Sequence, residues 1–122
     1  MRTRLLILML TIVAFVAACG MPVALRTAPA PVDACEDALL AGELVTSAQS
    51  GLAIRNAADV TEVLWPYGYS AAREVDGVVL RDPAGEVVAR VGDRVQMGGG
   101  FGAGGVWGAC AGSIRAMSNE GG

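Results

Sequence analysis

The chain has no histidine, which excludes Ser–His–Asp and Cys–His nucleophilic sites at once. Of its three cysteines, Cys19, Cys35 and Cys110, Cys35 and Cys110 alone cannot supply the three or four ligands of a zinc site. Three carboxylate pairs are close in sequence: Glu36 with Asp37, Asp59 with Glu62, and Glu74 with Asp76. Glycosidase-type chemistry needs two acids facing each other across a cleft roughly 5–9 Å wide, one of them protonated through burial. Each of these acids sits where a solvated turn or strand face would put one. Asp33, Glu36 and Asp37 do not alternate as the oxygen ligands of a calcium loop do. The chain therefore reads as no enzyme, with no cofactor and no metal, and a small hydrolase is the remotest alternative.

The remaining candidates are aromatic. Trp65, Tyr67 and Tyr69 are gathered in one short stretch, and Phe101 and Trp107 follow later in a glycine-rich run. Trp65 and one tyrosine are expected to fill the core of so small a domain. The functional alternative is an aromatic platform for a glycan or peptide, using Trp65, Tyr67, Tyr69, Phe101 and Trp107. Residues 98–108 hold seven glycines in eleven positions. They lack the Lys-Ser/Thr and the following helix of a phosphate loop, so they read as a mobile crossover.

The elements that position these residues are short and β-like. Val78 and Leu80 alternate with Val79 and Arg81, and Asp82-Pro83-Ala84-Gly85 has the composition of a tight turn. Val87, Ala89 and Val91 alternate with Val88 and Arg90, Gly92-Asp93 makes a second turn, and Val95 and Met97 follow. Residues 77–97 thus read as a three-stranded meander. Residues 60–65 and 52–55 supply further strands around a turn at 56–59. Residues 33–44 read as one short helix, capped by Asp33 with Glu36 and ended by Gly42. The expected fold is all-β: a small antiparallel barrel or rolled sheet of SH3 or OB type, with that helix at its N-terminal side. A two-sheet sandwich is the alternative.

Arg2 and Arg4 precede fourteen residues, 5–18, in which Thr11 is the only polar side chain. This is the pattern of an export signal, shorter than a membrane span. Past it, seven arginines face twelve Asp and Glu, a formal charge of −5. Such a surface has no counterion-release drive toward nucleic acid, and no attraction to anionic headgroups. Residues 20–34, with three prolines and no period, read as an extended tether reaching up to about 45 Å.

Val16-Ala17-Ala18-Cys19 resembles the lipobox of bacterial lipoproteins. The resemblance implies removal of residues 1–18, lipidation of Cys19 and a membrane anchor. Cys35 and Cys110 then remain as an even pair for a disulfide in an oxidising compartment; the alternative is that one or both are buried small hydrophobes. Organisation follows as signal 1–18, lipidated Cys and tether 19–34, barrel domain 35–114 and flexible tail 115–122.

Trp65, Pro66, Gly68, Tyr69 and Ser70, then Asp82 and Gly85, then Val91, Gly92, Asp93 and Val95, also resemble a set of elements in small envelope lipoproteins, chiefly from high-GC Gram-positive bacteria. This likeness covers about residues 52–110. It implies an envelope location, on the outer face of the cytoplasmic membrane or in an outer membrane, and a β fold. It carries no activity and no catalytic residue. The expected role is a non-catalytic, lipid-anchored scaffold or interaction module with an envelope protein or glycan as partner, and a ligand-binding accessory module is the alternative.

Overall fold

The computed structural model describes residues 20–57 and 59–118. The expected signal region and the expected lipidation site Cys19 lie outside them. Ten strands follow in chain order: β1 Met21–Val23, β2 Ala38–Ser47, β3 Gly51–Asn56, β4 Asp59–Leu64, β5 Ser70–Glu74, β6 Gly77–Arg81, β7 Val87–Arg90, β8 Arg94–Phe101, β9 Trp107–Ala109 and β10 Arg115–Ala116. A single 3-10 turn, Ala103–Gly105, separates β8 from β9. The all-β expectation holds.

Two sheets share the strands. One has the order β1-β5-β6-β7; the other runs β10-β8-β2-β3-β4-β9, and β9 pairs back onto β8. That last pairing closes β8, β2, β3, β4 and β9 into a five-stranded barrel. All pairings in the ring are antiparallel except β4 with β9. Closure leaves no open edge within the ring for a neighbouring chain to extend.

The barrel closes because β2 serves two partners. Its first half pairs with β8, from Ala38 opposite Gly99 to Glu43 opposite Arg94. Its second half pairs with β3, from Glu43 opposite Arg55 to Ser47 opposite Gly51. Leu40 and Leu44 point inward at period two and are buried. The helix expected over 33–44 is therefore incorrect. Its apolar residues were too few to hold a helical face, and pairing on both sides of the segment outweighs local propensity. Gly42 does not stop a helix: a Cβ there would press on the Arg55 carbonyl and the Ile54 side chain.

One core joins barrel and sheet. Leu40, Leu44, Leu52, Ile54, Val63, Trp65, Val95, Met97 and Trp107 come from the barrel strands and the residue after β4. Tyr69, Ala71, Val78, Leu80 and Ala89 come from the four-stranded sheet and its approach, and all pack in the same cluster.

Three further expectations are corrected. The tether of 19–34 is not free of the domain over its first part: Met21–Val23 pair with β5, and Thr27 bridges to Trp65. Val23 and Leu25 pack against the core and Ala28 is buried. The meander of 77–97 stops after its first hairpin. β6 and β7 pair, but at Gly92-Asp93 the chain crosses to the other sheet, where Gly92 N–H donates to the Leu44 carbonyl and Leu44 N–H to that of Asp93, both at 2.9 Å. The tail of 115–122 is held at its start: β10 pairs with β8, and Met117 N–H donates to the Arg94 carbonyl at 2.7 Å.

Candidate functional site

The aromatic residues are distributed between interior and surface. Trp65 follows β4 and is fully buried. Its N–H donates to the Arg26 carbonyl at 2.9 Å, and its carbonyl accepts from Ala28 N–H at 2.8 Å. The indole N–H meets the Leu52 carbonyl at 2.9 Å. Residues 66–69 then turn, with Tyr69 N–H donating to the Pro66 carbonyl. The turn buries Tyr69 and leaves Tyr67 53% exposed. Trp65 and Tyr69 are thus core, as the small size of the domain required.

Trp107 is also buried, on β9. Phe101 closes β8 directly opposite it in the ladder. The rings meet edge to face, with centroids 5.1 Å apart and planes at 89°. Phe101 itself remains 61% exposed. The five candidate residues do not form one platform: Trp65, Tyr69 and Trp107 are interior, and only Tyr67 and Phe101 offer substantial surface.

The glycine-rich run is not a mobile crossover. Gly98, Gly99 and Gly100 are strand residues of β8: Gly98 is in register with β2, Gly100 with β9, and Gly99 with both. Gly99 has φ +151, and a Cβ on it would collide with the Gly108 carbonyl and the Trp107 indole nitrogen. The glycines allow backbones to approach where side chains would hold them apart. At Gly100 the Glu36 side chain occupies the space a Cβ would need. Trp107 Nε1 is buried with no hydrogen-bond partner, as is the Ser50 hydroxyl.

No family model, no curated protein and no solved structure matches the chain. Chemistry has to be read from the residues themselves.

Cys35 and Cys110 form a disulfide, with Cα atoms 5.7 Å apart. It ties the chain just before β2 to the chain just after β9. Five of the acids have structural partners. Glu62 accepts from the Ser47 hydroxyl at 2.7 and 2.8 Å, Glu74 pairs with Arg81 at 3.1 Å, and Glu43 pairs with Arg55. Asp82 Oδ1 accepts from Ala84 N–H and Glu86 N–H, and Asp93 Oδ2 from Arg90 N–H. Among the described residues, no three His, Cys, Asp or Glu converge as a metal site would require. No helix among them is long and apolar enough to cross a membrane. The Glu36–Gly100 contact and the ordered segment 21–28 carry no sequence motif. The one available signal was the weak alternation of Val23, Leu25 and Thr27, hidden between prolines.

Proposed function

We propose that this chain is a lipid-anchored, non-catalytic protein of the cell envelope, whose disulfide-clasped barrel acts as a scaffold or interaction module outside the membrane. The observation that carries the reading is the Val16-Ala17-Ala18-Cys19 junction, placed after a charged and then apolar leader. Pairing of Cys35 with Cys110 supports it, because two of the three cysteines are then used for oxidation, as suits an exported domain. The third is the one at the lipobox-like junction. The likeness to small envelope lipoproteins points the same way, with the partner an envelope protein or a glycan.

The ligand-binding alternative now rests on Tyr67 and Phe101, the two exposed aromatic residues among the described ones. Interior Trp65, Tyr69 and Trp107 weigh against a broad aromatic platform.

Mass spectrometry of the N-terminal peptide, taken from protein purified out of native membranes, tests the anchor. The expected first residue is Cys19 carrying diacylglyceryl mass, and Cys19→Ser retains the leader. An N-terminus elsewhere, or a Cys19 without acyl mass, overturns the proposal.

A further inference from the structure

Residues 20–34 had been expected to hold the domain away from its anchor. Instead, Gly20 lies against the Arg73 carbonyl and the Glu74 side chain, and Met21 is already in register opposite Arg73. Consecutive Cα atoms are about 3.8 Å apart. Cys19 is bonded directly to Gly20, the residue that already lies against the end of β5. A lipid on its sulfur therefore leaves the barrel almost no freedom to stand off from the bilayer.

The same end of the four-stranded sheet exposes apolar side chains. Val75, at the tip of the turn between β5 and β6, is 104% exposed, and Met21 is 72% exposed. Val91 N–H donates to the Val78 carbonyl at 2.9 Å, which puts the partly exposed Val91 beside the start of β6. The tip is flanked in sequence by Arg73 and Asp76, one charge of each sign, while Glu74 is bound to Arg81. This balance suits a zwitterionic or mixed headgroup layer and needs no anionic attraction.

We infer that the β5–β6 turn is a membrane-docking tip: Val75, with Met21 and Val91 beside it, rests in the interfacial layer of the bilayer that holds the acyl chains of Cys19. The occupant is a lipid surface because the chain enters the domain at this end, directly from the proposed lipid attachment site. The inference rests on the anchor proposed above. Apolar side chains add affinity at the headgroup boundary, and attachment within one residue supplies the high local concentration that a small patch needs. The opposite end of the sheet, carrying the turn at residues 82–86, lies about 13 Å away along the five residues of β6 and faces outward.

The test uses the full chain, purified in lipidated form and reconstituted in phosphatidylcholine–phosphatidylglycerol vesicles that contain lipids brominated near the glycerol end of the acyl chain. Val75→Trp places a fluorophore at the tip, and Ala84→Trp places one on the opposite turn. Wild-type protein supplies the background from the buried Trp65 and Trp107. Each variant is first checked for an unchanged melt. The expected result is at least a twofold loss of the Val75→Trp emission, with a blue shift, and no quenching of Ala84→Trp. Equal quenching of both, or of neither, in protein that carries the acyl mass and floats with the vesicles overturns the docking tip and leaves the anchor standing. Absence of acyl mass overturns both.

Discussion

The indole nitrogen of Trp65 donates to the main-chain carbonyl of Leu52 on the neighbouring strand β3, at 2.9 Å. One side chain thereby fixes the strand β3 and, through its own backbone bonds to Arg26 and Ala28, the N-terminal segment as well. The hydrogen bond is fully shielded from water. Trp65→Phe removes the donor, strands the Leu52 carbonyl and leaves part of the ring volume empty. We expect a loss of about 2–4 kcal/mol, read as a lower urea midpoint at unchanged m-value.

The Cys35–Cys110 bond closes a loop of 75 residues. Releasing it enlarges the unfolded ensemble far more than it alters the folded one. The Cys35→Ala, Cys110→Ala double variant should lose about 2–4 kcal/mol. Reductant should lower the wild-type melt by a similar amount and leave the double variant unmoved. A wild-type melt indifferent to reductant, with both thiols shown to be free, would count against the clasp.

Two glycines separate backbone strain from crowding. Gly92 has φ +101 with nothing within 4 Å of a Cβ, whereas Gly99 has φ +151 and a Cβ position already filled. Gly92→Ala carries only the left-handed penalty, about 1 kcal/mol. Gly99→Ala adds a clash with backbone atoms of β9 and should cost about 3 kcal/mol or more, opening the β8–β9 seam. Amide exchange at Cys110, whose N–H donates to the Gly98 carbonyl, should accelerate in the second variant and not in the first.

Phe101 presents most of its ring to water yet contacts Trp107 edge to face. Phe101→Ala should cost only about 0.5–1.5 kcal/mol and expose one side of Trp107. Its emission should shift to the red. A loss above about 3 kcal/mol would show that Phe101 is core in solution.

What was legible in the sequence was mainly local. Asp82 and Gly85, and Gly92 with Asp93, marked their turns because their side chains and φ values act within a few residues. The alternation around Val78, Leu80 and Ala89 gave the first hairpin for the same reason. The meander failed at Gly92 because a turn motif reports a reversal and not which sheet receives the next strand. β2 was missed because Leu40, Gly42 and Leu44 make sense only once Ile54 and Met97 lie beside them. The glycine run was misjudged in the same way: its value is the room it leaves for Trp107, folded back across the 3-10 turn, and for Glu36, distant in sequence. Trp65 and one tyrosine as core followed from composition and size, whereas which tyrosine it is depended on the turn at 66–69 and the burial of Trp107 on the β8–β9 pairing.

The division of β2 between β8 and β3 governs the order in which the molecule can be assembled. When the chain emerges N-terminus first, the half of β2 that meets β3 finds its partner within a few residues, so that hairpin forms early. The other half, from Ala38 onward, waits for Gly99 and its neighbours, nearly the whole domain later. Loop-closure entropy makes such distant pairing slow. Barrel closure is then the late event, and oxidation of Cys110 to Cys35 follows it, sealing a ring whose two ends meet only once β8 and β9 have joined.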